Sequence, residues 1–415
     1  MNLISAQRKI LPFQMTVLVL LILVVPFISA LGQTGSQIGD LIEENRYAFT
    51  YNGSFSGKGW DLVLDTAKRH KYFLLGEDHG SAEIPLFTKA LIEHIDYELF
   101  VTEIDSVTAS ILKQIALKDT TEINSFRAKN PSALSFYSAR EEFDAITGLI
   151  KSGSDIWGLD QVSLFSTGIV LRRLEEVCAS NKAKELSSKL ANLSDTLFKR
   201  AVETGNYDTL FILSSKQAVF DGLREVLKDE NREAWNLFHD IENSWKIYNG
   251  VDGANYRSRI GGMKSKLLNY YFGSQAKQIE YHKVLYKFGA YHISKAESLL
   301  GGFDVGNLLS NLAHAEGTSS YHLMIVGRKG AMNTFLPSEG MDVANFNIEN
   351  KKSPLHGLLP FAKGMDEKNW AFFDLKALRD GLKKKKLKIE DGFLKKTIRG
   401  YDGLIIIPST TPSKN

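Results

Sequence analysis

The residues with the clearest chemical potential lie where one predicted strand ends, in residues 73–80 (FLLGEDHG). Three apolar residues lead into Gly76, and then Glu77 and His79 follow within three positions. An apolar strand is typical of a parallel sheet that is covered on both faces. Open α/β sheets place their ligands at the carboxyl ends of such strands. Since a carboxylate beside an imidazole suits acid–base catalysis or metal binding, we predict a site at this strand end.

Three further predicted strands also end in residues that could carry chemistry. These residues are Glu103 and Asp105, Asp160, and His292. Because the carboxyl ends of parallel strands share one edge of a sheet, side chains far apart in the chain can meet in one cleft. Taken alone, Asp160 is equally consistent with a helix cap. His79 could also be a buried, hydrogen-bonded histidine, although this is the less favoured interpretation. Their recurrence at four strand ends favours a shared site.

Other well-known catalytic motifs are missing from the sequence. It has no Gly-x-Ser-x-Gly elbow, no His-Glu-x-x-His pair and no cysteine pattern of a zinc site. The glycine pairs at residues 261–262 and 301–302 match neither a phosphate loop nor a dinucleotide fingerprint. The sequence therefore gives no support to serine-hydrolase, nucleotide-binding or zinc-protease chemistry.

Predicted strands alternate with helices on both sides of a long helical stretch. The strands are predicted at residues 71–75, 98–103, 155–160, 283–289, 321–327, 369–374 and 401–408. Residues 165–280, between the third and fourth strands, are amphipathic and predicted to be helical throughout. This pattern predicts an α/β fold: a mostly parallel central sheet flanked by helices, with a large helical insertion capping the strand ends. The tail after Pro408 is predicted to be disordered.

Residues 1–32 are predicted to be a signal peptide. The positive pair Arg8–Lys9 precedes an apolar run over residues 15–25, and Ala30 and Gly32 are small residues suited to cleavage. The apolar run is shorter than the ~20 residues that a membrane-spanning helix needs. We therefore expect an exported, periplasmic or extracellular protein, which would contact a membrane only through this segment if it stays uncleaved.

The length allows one large domain or two ordinary ones, and we predict a single globular domain over residues 33–415. The 415-residue chain is 43% hydrophobic and 24% charged, and its net charge of +3 gives no reason to expect a nucleic-acid partner. The basic run at residues 383–386 is interpreted as a solvated helix end. The single cysteine, Cys178, cannot form an internal disulfide and lies in a helical pattern, so we interpret it as a packed structural residue.

A series of short motifs resembles, in the same order, those of the erythromycin esterase-like proteins. That family shares a superfamily with the ChaN-type haem-binding proteins and the Tiki proteases. The motifs are LGEDHGSAEI with Gly80 and Glu83, Tyr137–Glu141, Trp157–Gln161, Arg259 with Met263, Tyr291–Ile293 and Tyr401–Leu404. Two departures stand out. One residue separates Glu77 from His79, as in the ChaN type, and the first histidine and the asparagine of the esterases' Ala-His-Asn-x-His segment are missing.

The resemblance implies that an activated water hydrolyses an ester, a lactone or a related bond of a small-molecule substrate. His79 would be the general base, and Glu77 would orient its imidazole. His292 would stabilise the developing charge or protonate the leaving group, and Arg259 or Arg140 would stabilise the oxyanion. Glu103 belongs with the catalytic set. Supporting or substrate-binding roles would fall to Glu83, Asp105, Arg140, Glu141, Asp160 and Tyr291.

Several alternatives stay open at this point. Glu103 and Asp160 could hold the histidines, or they could complete a divalent-metal site with His79, and the sequence does not fix the ligand count. A relative of the ChaN type could instead bind haem or another ligand through Tyr291 and His292 without catalysis. The fold could also be kept while the chemistry is lost.

Overall fold

The computed structural model describes residues 37–337 and 341–414, and the predicted signal peptide lies outside them. No helix within these residues is long and apolar enough to cross a membrane.

The described residues form a central sheet and a separate hairpin. The strands are β1 (Arg46–Tyr51), β2 (Phe55–Ser56), β3 (Tyr72–Glu77), β4 (Leu99–Thr102), β5 (Asp155–Gly158), β6 (Val284–Gly289), β7 (Ser320–Gly327), β8 (Lys329–Pro337), β9 (Met341–Asn347), β10 (Trp370–Asp374) and β11 (Gly403–Ile407). The central sheet has nine strands in the order β2-β1-β10-β11-β7-β3-β6-β4-β5, and β8 and β9 form a separate two-stranded sheet. The six strands from β11 to β5 in that order are parallel, whereas β1 and β10 are antiparallel to their neighbours.

Helices cover both faces of this sheet. They are α1 (residues 37–44), α2 (Lys58–Arg69), α3 (Glu83–His94), α4 (Ser106–Ala116), α5 (Thr120–Lys129), α6 (Arg140–Lys151), α7 (Thr167–Val177), α8 (Asn181–Thr204), α9 (Phe211–Ser214), α10 (Gln217–Leu227), α11 (Arg232–Asn249), α12 (Tyr256–Ala276), α13 (Val305–Ala315), α14 (Leu359–Ala362), α15 (Lys376–Lys383) and α16 (Gly392–Gly400). Alternate residues of β3 enter two different cores: Tyr72 and Leu74 enter one, and Phe73 and Leu75 enter the other. Burial on both faces explains why this strand is apolar at every position before Gly76.

The helical insertion has a hydrophobic core of its own. Helices α7 to α11 bury Leu174, Phe220, Phe238 and Trp245 against one another. Cys178 is buried in the same core, next to the end of α7. The predicted fold class, an α/β protein with a mostly parallel sheet and a large helical insertion, is therefore confirmed.

Two features were not predicted from the sequence. One is the pair β1 and β2, which extends the sheet beyond β10. The other is the β8–β9 hairpin, which lies outside the central sheet. Neither has the apolar run by which the parallel strands were recognised, because neither is buried on both faces.

The prediction that the tail is disordered after Pro408 was wrong. Thr411 donates to the Glu83 carboxylate from its backbone nitrogen (3.0 Å) and from its hydroxyl (2.8 Å). The Ser413 nitrogen donates to the Gly80 carbonyl at 2.9 Å. The polar tail is ordered because other elements satisfy its backbone groups. It thereby braces the loop that follows β3.

This bracing leads to a first prediction. We expect Glu83→Ala to lower the free energy of unfolding by about 1–3 kcal/mol, because the tail loses a charged acceptor. Urea denaturation would measure the change. The matched control is Arg140→Ala, whose exposed side chain makes one ion pair, to Asp144 at 3.6 Å. We expect that control to stay within about 0.5 kcal/mol of the wild type. Equal stabilities of the Glu83→Ala and control proteins would contradict the bracing role.

Candidate active site

The ends of three parallel strands bring the predicted residues together. Glu77 is the last residue of β3, and His79 follows it in the adjoining loop. Glu103 comes directly after β4, and His292 lies in a short helical turn after β6. Arg259 reaches the same place from the first turn of α12. The sheet order places β6 between β3 and β4, so these five side chains meet at one edge.

Glu77 and His79 form a directly bonded pair. Nδ1 of His79 lies 2.8 Å from Oε1 of Glu77. The ring of Phe136 stacks on the imidazole, with the two ring centroids 4.1 Å apart. A carboxylate at Nδ1 keeps the proton on that nitrogen and directs Nε2 away from it. With 27% of its side chain exposed, the His79 imidazole is accessible to a ligand.

Glu103 is the centre of the cluster. Its carboxylate accepts hydrogen bonds from Arg259 Nη2 at 2.7 Å and from the Gly289 nitrogen at 2.6 Å. It also lies 3.2 Å from Nε2 of His292 and 3.5 Å from Nε2 of His79. Burial favours its neutral form, but the charge of His292 and the bonds from both histidines hold the pKa of Glu103 well below its usual value.

A glycine at position 289 makes this geometry possible. A Cβ atom at Gly289 would lie 2.9 Å from His79 Nε2 and 3.2 Å from Glu103 Oε2. The end of β6 can therefore pass between the two side chains only because it carries no side chain of its own.

Arg259 is held by two carboxylates. Its Nε donates to Asp160 Oδ1 at 2.9 Å, and its Nη2 donates to Asp160 Oδ2 at 2.6 Å. Burial opposes the charge, but Asp160 and Glu103 outweigh it and raise the pKa of Arg259 above its ordinary value. The guanidinium therefore stays cationic and fixed in orientation. Asp160 acts through Arg259 in this arrangement.

Both ring nitrogens of His292 have partners. Nδ1 lies 2.9 Å from Oδ2 of Asp304, and Nε2 faces Glu103. Burial lowers the basicity of this imidazole, but Glu103 and Asp304 prevail and raise its pKa to about 9. Asp304 also caps α13 by accepting from the Val305 nitrogen at 2.7 Å. His292 is thus a buried cation at neutral pH.

A buried lysine contacts the Glu77 oxygen that is not bonded to His79. Nζ of Lys287 lies 2.6 Å from Glu77 Oε2 and 2.8 Å from Glu142 Oε2. Burial raises the pKa of Glu142 to about 7, even though Lys287 opposes the shift. Lys287 and Glu142 were not among the predicted residues, and neither was Asp304. A lysine within an apolar strand was the signal that could have revealed Lys287.

The structure places four of the predicted residues away from the cluster. Asp105 caps α4, where it accepts from the Thr108 nitrogen at 2.9 Å. Glu83 binds the C-terminal tail, and Glu141 does so too, accepting from the Lys414 nitrogen at 2.8 Å. The Arg140 side chain is exposed.

Two cavities flank Glu103 and Arg259, which line both of them. The first, called the histidine cavity, has a volume of about 260 Å³ and is also lined by His79, Tyr291 and His292. The second, called the serine cavity, has a volume of about 300 Å³ and lies beside Phe136. Adjoining volumes of this size suit a small molecule rather than a polymer.

The donor set does not fit the divalent metal that the sequence left open. Within residues 37–337 and 341–414, no group of three or more His, Cys, Asp or Glu side chains is arranged to hold a metal ion. The imidazoles of His79 and His292 point their nitrogens at carboxylates, and the Glu103 carboxylate is occupied by cations.

Comparison with solved structures shows which known fold this chain shares. No family model matches this chain, and no curated protein matches it significantly by sequence. A histidine-to-asparagine mutant of the erythromycin esterase EreC in its open conformation superposes with a TM-score of 0.56 at 15% identity, over 85% of this chain and 94% of its own. A Bacillus cereus protein gives a TM-score of 0.54 at 16% identity, over 92% and 98%. A succinoglycan biosynthesis protein gives 0.55 at 16% identity, over 92% and 99%. The chain therefore has the erythromycin esterase-like fold.

Proposed function

We propose that this chain is an exported hydrolase in which His79 activates a water molecule to attack an ester, lactone or related bond of a small molecule. The observation that carries the proposal is the 2.8 Å contact between Nδ1 of His79 and the Glu77 carboxylate, in the wall of the histidine cavity. This is the arrangement of a general base with its orienting carboxylate. Export rests on the predicted signal peptide.

The surrounding charges suit the proposed reaction. The water would lie at Nε2 of His79, in place of the 3.5 Å contact to Glu103, which is longer than an ordinary hydrogen bond. Nε2 would take the water proton and later deliver it to the leaving oxygen. Negative charge developing on the carbonyl oxygen would be stabilised by the fixed cation Arg259. His292, which contacts the same Glu103 carboxylate as Arg259, would add a second positive charge near the carbonyl oxygen.

The ChaN-type alternative finds less support. Haem ligation by His292 would require a free ring nitrogen, and both nitrogens face carboxylates, at 2.9 and 3.2 Å. Tyr291 lines the histidine cavity, and burial raises the pKa of its phenol, which opposes binding as a phenolate. A haem titration that produces a Soret band, lost in Tyr291→Phe, would nevertheless favour that function over hydrolysis.

The pH dependence gives a prediction that tests the role of His79. Burial alone would lower the pKa of His79, but the nearby Glu103 and Glu77 carboxylates raise it to about 10. Only the neutral imidazole can act as a base, so kcat/KM should rise as the pH increases above neutral. A rate that instead falls as the pH rises would show His79 acting as an acid.

Removing one charge should displace this profile. Glu103→Gln removes an anion that raises the His79 pKa. The rise of kcat/KM with pH should therefore move to lower pH by about 1 unit or more. Glu83→Gln changes a carboxylate that binds the C-terminal tail, so it should not shift the pH at which kcat/KM rises. A screen of aryl esters, lactones and macrolides, run with and without chelator, would supply the substrate for both profiles.

A further inference from the structure

The two cavities differ in their polar groups. The histidine cavity combines the ionisable residues Glu77, His79 and His292 with apolar side chains, among them Leu300, Met324, Val326 and Leu355. The serine cavity combines the rings of Phe136, Phe165 and Phe335 with residues that carry hydroxyl or amide groups: Ser132, Ser135, Ser138, Gln161, Ser163, Tyr248 and Thr334. Glu103 and Arg259 line both cavities. A substrate that spans both can therefore place its hydrogen-bonding groups in the serine cavity and an apolar part against the aliphatic side chains of the histidine cavity.

Two buried polar atoms in the serine cavity have no hydrogen-bond partner among the residues that the structure describes. They are Oγ of Ser135 and Oε1 of Gln161. Leaving such an atom unpaired costs about 1–3 kcal/mol, so native proteins keep few of them without a reason. A ligand with hydroxyl groups can satisfy both, because a hydroxyl donates as well as accepts.

Backbone strain is concentrated in the same wall. Ser132 has φ 61°, Ser135 has φ 53° and Phe335 has φ 60°, which place all three in the left-handed region that favours glycine. Strain of this kind is kept where it places a functional group. Phe335 packs edge-on against Phe136 at 5.4 Å, and Phe136 in turn stacks on His79. The strained wall is thus continuous with the proposed base.

We infer that the substrate is an ester of a polyhydroxylated, carbohydrate-like alcohol, with its acyl group in the histidine cavity and its alcohol in the serine cavity. The inference rests on the proposed function and names the substrate class for it. Water adds to the acyl carbon, the bond from that carbon to the ester oxygen breaks, and the alcohol leaves with the proton carried by His79. The products are a carboxylic acid and the free polyol.

Two esters of matched shape test this inference. One is glucose acetylated on its primary hydroxyl, and the other is cyclohexylmethyl acetate, which keeps the ring and the ester but lacks the hydroxyls. A site built to bind hydroxyl groups rejects an analogue that lacks them, so we expect kcat/KM to be at least ~10²-fold higher for the sugar ester. Equal values for the two esters would overturn the inference.

Variants of Ser135 separate recognition from stability. Ser135→Ala should lower kcat/KM for the sugar ester about tenfold and reduce the preference for it over cyclohexylmethyl acetate. Ser135→Gly should cause the same loss while raising the melting temperature, because glycine relieves the positive φ. The control is Ser187→Ala, at a buried serine of α8 in the insertion, which should not change the preference between the esters. A Ser135→Gly protein that keeps the full preference would contradict the assignment.

A binding measurement distinguishes this inference from the proposed function. His79→Asn would be titrated calorimetrically with each ester, so that recognition is measured without turnover. Tighter binding of the sugar ester, lost when Ser135→Ala is added, would support the subsite even if the wild type hydrolyses neither ester; in that case only the hydrolase proposal would fail. Binding that does not discriminate between the esters would overturn the subsite.

Discussion

His79→Asn is expected to lower kcat/KM by about 10²–10⁴-fold, the usual contribution of general acid–base catalysis. Asparagine can still donate a hydrogen bond to Glu77, so that buried carboxylate is not left unpaired. What the variant lacks is Nε2, the atom that would take the proton from the water. The measurement is kcat/KM on the best substrate of the hydrolysis screen, with wild type and variant compared at the same pH.

Two controls make the loss interpretable. Near-ultraviolet circular dichroism and the melting temperature should show that the His79→Asn protein is folded. His314→Asn, at an exposed position of α13, should keep wild-type activity. Retention of more than about a tenth of the activity in His79→Asn would rule out general-base catalysis by this residue, given the magnitude expected for it.

The sequence was most informative about the parallel strands and their ends. An apolar strand followed at once by Glu77 and His79 is a local pattern, and so is Glu103 after β4. Both patterns correspond to the observed structure, because the strands are buried on both faces and their ends meet at one edge of the sheet. Arg259 was indicated only by the resemblance, since nothing local distinguishes an arginine in a polar helix.

The remainder of the site depends on tertiary packing. Lys287 meets Glu77 because β6 lies beside β3, although more than two hundred residues separate the two side chains in the chain. Glu142 reaches Lys287 from α6, and Asp304 reaches His292 from the start of α13. Neither contact leaves a sequence pattern distinct from an ordinary acidic helix start. The polar tail was misjudged for the same reason, because its order comes from partners on other elements.

The second large effect is expected at Lys287. Its side chain is only 2% exposed and lies between the Glu77 and Glu142 carboxylates. Lys287→Met removes the cation and leaves two buried acids facing each other, and breaking a buried pair in this way costs about 3–5 kcal/mol. Chemical denaturation at neutral pH would measure the loss. Activity should fall too, because a protonated Glu77 is a weaker acceptor for His79 Nδ1–H and no longer stabilises the imidazolium by its charge.

The pH dependence of this loss has a definite sign. In the wild type, burial favours neutral Glu77, but Lys287 and His79 lower its pKa below 4.5, so its contribution is present above that value and lost in acid. Without Lys287, burial raises the pKa of both carboxylates, so the variant regains stability as they take up protons. The stability gap between wild type and variant should therefore be widest at alkaline pH and should narrow as the pH falls toward 4.5.

A second substitution isolates the cause. Adding Glu142→Gln to Lys287→Met removes one of the two facing acids, so it should recover part of the stability if repulsion and desolvation are responsible. Lys113→Met breaks a half-exposed pair with Asp155, 2.8 Å long, and should cost only about 0–1 kcal/mol. If Lys287→Met cost no more than Lys113→Met, or if Glu142→Gln gave no recovery, the buried triad would not be what holds Glu77 charged beneath His79. His79 would then be kept charged by the Glu103 carboxylate, which contacts it on its other side, and the charged His79 would keep Glu77 ionised.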